Sequence, residues 1–258
     1  VNLKGINRMT IRVFWGALSL LAALTSLPAQ ALDLGNLAGG LIELTKAATL
    51  TDSDAKALAF EASRYQDSKH QVAAATHPYA QRLSHIVRGL QQEDGLALNF
   101  KVYLTPELNA FAMADGTVRV YSGLLDKMQD DEVRFVIGHE IGHVKLGHSK
   151  KAMQVAYAAS GVRGLAAGSG YQTIAQLSAS AIGGLAEVLV NAQFSQSQEN
   201  AADLYAVDFM RRHGYPPAAA VSALRKLQAL GGDSASMLSS HPASADRVSR
   251  VEAALKAR

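Results

Sequence analysis

His139-Glu140-Ile141-Gly142-His143 constrains this chain more than any other stretch of it. Two imidazoles four residues apart share one face only if the backbone is helical, where they lie about 6 Å apart along the axis. That spacing lets both bind one tetrahedral zinc ion. Glu140 then sits beside the metal without having to bind it. It can take a proton from an attacking water and return it to a leaving amine. A surface helix with two solvated His and a salt-bridging Glu is the bland alternative. The surrounding sequence argues against it, because the motif follows a strand hairpin in a chain without thiols.

The 258 residues include no Cys, which excludes disulfides, zinc–thiolate sites, iron–sulfur clusters and thiol catalysis. A metal must therefore be held by His, carboxylate or both. Two His leave zinc one protein ligand short. In metzincins a third His comes six residues after the second, but Ser149 occupies that position here. His148 is one residue early, about 100° around a continuing helix. It is therefore not expected to be a ligand, and its plain role is to cap the helix C-terminus. Glu199 and Asp203 lie at i and i+4 further along, in Ser197-Gln198-Glu199-Asn200-Ala201-Ala202-Asp203. Glu199 can bind zinc, and Asp203 can accept a hydrogen bond from the outer nitrogen of a ligating His. An acid pair on a solvated helix is the alternative, and the upstream motif weighs against it. His70, His77, His85 and His213 have no paired spacing and are expected to be ordinary His.

Periodicity places these motifs on elements. Helices are expected from Asp52 or Ser53 to about Asp67, and from Pro78 to about Gln92. Asn99 to Leu104 alternates as a strand. Phe111 to Met113 and Thr117 to Tyr121 flank Asp115-Gly116 as a hairpin. A helix from Asp130 or Asp131 to about His148 is acidic at its start and has Lys145 near its end, which suits the macrodipole. Gly138 and Gly142 each cost it about 1 kcal/mol. Four apart, they form a smooth stripe against which another element can pack closely. One helix is expected from Glu187 to about His213, another from Pro216-Pro217 to Leu230, and a last one from about Ser244. The fold class is α+β and mainly helical: an active-site helix, a small sheet with an edge strand, and a helical C-terminal part. Residues 51–258 are expected to form a single domain, after a lead-in at 32–50.

The uncharged run from Gly164 to Ala186 is long enough to cross a membrane. Its Gln, Thr and Gly content favours a buried helical hairpin or a flap. At the N-terminus, basic Arg8 to Arg12, apolar Val13 to Leu24 and Ala29-Gln30-Ala31 follow the order of a secretory signal peptide cleaved after Ala31. An uncleaved anchor is the alternative, and Met9 is a candidate start. No Cys follows the apolar stretch, so no lipid attachment is expected. The expected location is a bacterial periplasm. Lys4, Arg8 and Arg12 are three of the 25 basic residues, so the rest of the chain carries 22 against 22 acidic ones. That balance gives no support to a nucleic-acid partner.

The HExxH motif and the downstream E-x-x-A-D resemble the HtpX-like and CAAX-prenyl-endopeptidase-like zinc metallopeptidases, a gluzincin group. The likeness extends to the segments Asn109 to Gly116, Val120 to Leu124, Gln193 to Gln196, and His241-Pro242 with Arg247. It covers nearly the whole chain beyond residue 31. The resemblance implies one zinc held by His139, His143 and Glu199, with Glu140 as base. It implies that Asn109, Ala110, Phe111 and Ala112 bind substrate by strand addition, which an exposed edge permits. It places His241 near zinc, with Arg247 helping to hold the site. His241 then either steadies the oxyanion or binds zinc in a latent form; alternatively, His241-Pro242 simply starts the last helix. The expected activity is endopeptidase cleavage of unfolded or misassembled envelope proteins. The alternative is a latent protease acting mainly as a periplasmic chaperone or outer-membrane assembly factor. A membrane or assembly-machinery partner, an intramembrane-type protease and a zinc-free binding module remain further options.

Overall fold

The computed structural model describes residues 50–156, 179–230, 240–241 and 245–257. The segment read as a signal peptide, residues 32–49 and residues 164–178 of the uncharged run lie outside the described residues. The helices are α1 (Asp52–Lys69), α2 (Pro78–Ile86), α3 (Ser122–Lys127), α4 (Asp130–Lys145), α5 (Ala179–Val190), α6 (Gln196–Arg212), α7 (Ala219–Leu230) and α8 (Ala245–Lys256). Residues 148–156 are also helical. The strands are β1 (Gln92–Glu93), β2 (Leu96–Ala97), β3 (Asn99–Tyr103), β4 (Ala110–Ala112) and β5 (Thr117–Tyr121). The expected mainly helical α+β build is therefore what is found.

The sheet has the order β3-β5-β4, with β3 parallel and β4 antiparallel to β5. Every residue of central β5 is buried, as for a strand covered on both faces. Val102, Val118 and Val120 face the main core, built with Val133, Ile137 and Phe209 among others. Tyr103 and Tyr121 face a second cluster with Leu58 and Ala62 of α1. The expected hairpin forms around Gly116, whose φ of 91° admits the turn without the strain a Cβ would bring. Strand β4 lies at the sheet edge.

Helix α4 starts where predicted. Glu132 Oε2 accepts the Gln129 N–H at 2.7 Å, and Asp130, Asp131 and Glu132 face the positive end of the helix dipole. Arg82 of α2 ties that end down, donating to the Met128 carbonyl at 2.7 Å and to Asp130 at 2.8 Å. The glycine stripe meets α6. A Cβ at Gly138 would stand 2.6 Å from the Phe209 ring, and one at Gly142 3.3 Å from the Ala202 backbone. The two glycines allow the close crossing that brings the two motif-bearing helices together.

Three boundaries differ from expectation. Helix α2 stops at Ile86 rather than near Gln92, because Gly89 takes φ 86° and the chain turns into the β1–β2 ribbon. The helix expected from Glu187 to His213 is two helices, α5 and α6, broken across 191–195. The break is a fresh helix start: Ser195 Oγ accepts from Gln198 N at 3.3 Å, and Gln198 Oε1 accepts from Ser195 N at 2.9 Å. The third difference lies in the active-site helix. It ends at Lys145, Gly147 takes φ 76°, and a new helical stretch begins at His148. Of the uncharged run, residues 179–186 begin α5, which packs against α1 where Gly183 meets the Tyr65 ring. Among the described residues, no helix is long and apolar enough to cross a membrane.

Candidate metal centre

Helix α4 presents His139, Glu140 and His143 inward, and the crossing helix α6 presents Glu199 and Asp203. His241, just before α8, closes the group from a third direction. His139, His143, Glu199 and His241 are all buried, and one ligand atom from each lies within 4.8 Å of the others. His139 Nε2 is 3.0 Å from His143 Nε2 and 3.3 Å from His241 Nδ1. Glu199 Oε1 is 3.3 Å from His143 Nε2 and 3.0 Å from His241 Nδ1. Tetrahedral zinc with bonds of about 2.0–2.1 Å separates its donors by about 3.3–3.4 Å. The observed spacing fits that ion.

The charges fit it as well. Glu140, Glu199 and Asp203 are buried carboxylates, and Arg247 is a buried cation among them. With all three acids ionised the group carries two excess negative charges, which a dication cancels. Arg247 donates to both oxygens of Asp203 at 2.8 Å and pairs with Glu199 Oε2 at 2.8 Å. It therefore holds Glu199 and Asp203 in one grip. Asp203 Oδ1 lies 2.9 Å from His139 Nδ1, off the ideal N–H line, and so occupies the outer-partner position expected of it.

The ionisation balance follows from these contacts. Burial opposes a charged His139, but Asp203 and Glu199 outweigh it and push its pKa up to about 9. Metal binding must displace that proton. Burial opposes charge at Glu199 too, yet His139, His143 and His241 hold its carboxyl far below the ordinary range. Burial lowers His143 well below its usual value and raises Glu140. Glu140 Oε1 has no hydrogen-bond partner among the described residues; His241 Nε2 lies 3.5 Å from it. A buried acceptor left open in this way suits a group whose partner is water or substrate.

Glu140 faces a narrow cleft whose other wall is Phe111, Ala112 and Met113 of the edge-strand segment. Ala110 is fully buried in the sheet, and Asn109 Oδ1 accepts the Ala110 N–H at 2.9 Å, so these two support the strand from behind. The cleft shares Ala152, Ala192 and Phe194 with a neighbouring open cavity of about 590 Å³, walled by Val155 and Val188. The other His stay outside the group, as expected. His70 stacks on Tyr103 with ring centroids 4.4 Å apart, His77 Nδ1 accepts the Tyr79 N–H, and His213 meets Glu93 at 2.8 Å.

Two neighbours of the centre escaped the sequence reading. His148 is not a plain helix cap: its Nδ1 lies 3.0 Å from His143 Nδ1. Burial lowers its pKa. His148 stays outside the donor group, as the helical-wheel argument required, but the chain turns at Gly147 and brings it back beside His143 instead of leaving it as a cap. Phe194 stacks on the His143 ring at 3.8 Å with an interplanar angle of 27°. Its sequence signals were its place just before the capping box and in the Gln193 to Gln196 segment of the family likeness, neither of which assigns it a contact with His143.

Residues 79–255 match the family described as Peptidase family M48. The chain is 44% identical to Metalloprotease LoiP of Escherichia coli (strain K12), across 94% of this chain and 96% of that one. It is 43% identical to Metalloprotease YcaL of the same organism, across 80% and 82%. It is 28% identical to the mitochondrial metalloendopeptidase OMA1 of Arabidopsis thaliana, across 60% of this chain and 31% of that one.

Proposed function

The chain belongs to peptidase family M48 and is a zinc-dependent metalloendopeptidase; from that premise we propose that it cleaves unfolded or misassembled proteins of the bacterial cell envelope, as protein quality control. His139, His143 and Glu199 hold zinc in this reading, and Glu140 is the base. The observation that carries it is the open carboxylate of Glu140 in a cleft between three buried zinc donors and an edge strand.

When bound, zinc supplies a Lewis acid for the scissile carbonyl and acidifies water. The chain's own residues do the rest. An extended substrate pairs with the open edge of β4. Glu140 takes the proton from water and passes it to the leaving nitrogen. Arg247 keeps Glu199 and Asp203 from moving. Burial of the group excludes bulk water, which strengthens each of these interactions. The apolar cavity beside the cleft supports the unfolded-protein reading, because unfolded chains expose the large apolar side chains it can hold. The order of basic, apolar and A-x-A segments supports export, and N-terminal sequencing of the secreted form should begin at Leu32.

The zinc-loaded protein should degrade casein, and Glu140→Gln should slow this about 10²–10⁴-fold while retaining zinc. Equal rates would remove Glu140 as the base.

His241 favours a second reading. As a fourth donor it fills the position that catalytic zinc sites leave open. A latent protease, acting mainly as a chaperone or outer-membrane assembly factor, then rests in the four-donor state. His241→Ala separates the two: faster casein cleavage supports latency, and slower cleavage supports a role in steadying the oxyanion.

A further inference from the structure

An imidazole that gives one nitrogen to a metal carries its proton on the other, and that N–H needs an acceptor. At His139 the outer neighbour is a carboxylate, Asp203. At His143 it is another imidazole, with the two Nδ1 atoms 3.0 Å apart. If His143 binds through Nε2, its Nδ1 must be the donor in this contact. His148 Nδ1 must then be bare, so the His148 proton sits on Nε2.

We infer that His148 is a positioning residue for the metal, a neutral imidazole in the Nε2–H form whose Nδ1 accepts the His143 N–H and fixes that ligand's tautomer and ring angle. Two observations converge on this. Gly147, at φ 76°, turns the chain so that residue 148 comes back beside the helix it has just left. The Phe194 ring covers one face of His143, so the outer hydrogen bond is what sets the ring's remaining rotation.

The inference rests on zinc binding by His143 proposed above. Its test measures zinc affinity directly, by competition with a chromophoric chelator, for the native protein, His148→Leu and His148→Asn. Asn can place its carbonyl oxygen near the position of the imidazole Nδ1. His148→Leu should bind zinc about 10–100-fold more weakly, and His148→Asn should recover most of that loss. Native affinity in His148→Leu would overturn the inference, as would equal losses in both variants, which would mark the effect as packing. Nitrogen-15 NMR of the zinc-loaded native protein should show His148 as the Nε2–H tautomer. A proton on Nδ1 would overturn the inference even if the Leu variant failed to fold. A native protein that held no zinc would overturn the metal reading, and this inference with it. A native protein that held zinc beside an unaffected Leu variant would overturn this inference alone.

Discussion

Asp67 and Arg119 show how single residues keep the edge strand where the cleft needs it. Arg119 is on β5, opposite Phe111 of β4, and its guanidinium is fully buried. Asp67 of α1 accepts from it at 2.8 and 3.0 Å, from Lys101 at 2.6 Å and from the Tyr103 hydroxyl at 2.7 Å. Burial pushes the Asp67 carboxyl up, but these donors outweigh it and bring its pKa from 3.8 to about 2. The folded pKa lies below the unfolded one, so the contribution is complete above about pH 4 and is lost as pH falls through 2. Allowing for partial exposure, it amounts to no more than about 2 kcal/mol. Asp67→Asn should lower the urea midpoint at pH 7, and its deficit should shrink as the pH is taken from 5 towards 2. A deficit that stays constant across that range would show that ionisation of Asp67 does not matter to the fold.

At the scale of elements, the site depends on how closely α4 and α6 cross. His139 and His143 come from one helix and Glu199 from the other, so their separation is set by what lies between the helices. Gly138 leaves room for Phe209, which has no exposed surface. A methyl group at 138 would stand 2.6 Å from its ring. Overpacking of this kind costs about 1–3 kcal/mol, against about 1 kcal/mol regained in helix propensity. Gly138→Ala should therefore lower the melting temperature, and adding Phe209→Leu should restore part of the loss. An unchanged or raised melting temperature in Gly138→Ala would mean the helices have slack at this crossing.

Across the whole molecule, the donors come from α4, α6 and the segment before α8, so a metal bound to them ties three parts of the chain together. Zinc that binds only the folded state stabilises it in proportion to the logarithm of its concentration. At a hundredfold excess over the dissociation constant this is about 2.7 kcal/mol. Calorimetry should show a melting temperature that rises with added zinc and falls with EDTA. The far-UV helix signal at room temperature should survive chelation, because the apolar clusters on either face of the sheet do not depend on the metal. Loss of that signal on chelation would show that the core cannot form without the ion.

What could be read from the sequence alone was local. Two His on one turn of helix, two acids on another, a glycine stripe and a hairpin around Asp115-Gly116 each depend on neighbours within a few residues. Covalent geometry converts such spacing directly into direction. The gathering of His139, His143 and Glu199, the edge strand and most helix spans were therefore legible. The break at 191–195 was legible too, in Ser195 and Gln198, although the residues on both sides of it suit a helix. Only the tertiary structure decided that Arg247 grips Asp203 and Glu199 together, that His241 reaches the donor group, and that Phe194 and His148 flank His143. Those placements depend on helix crossings and on a chain reversal at Gly147. Residues far apart in sequence become neighbours there through the sum of many weak packing contacts, a sum that no short stretch of sequence contains.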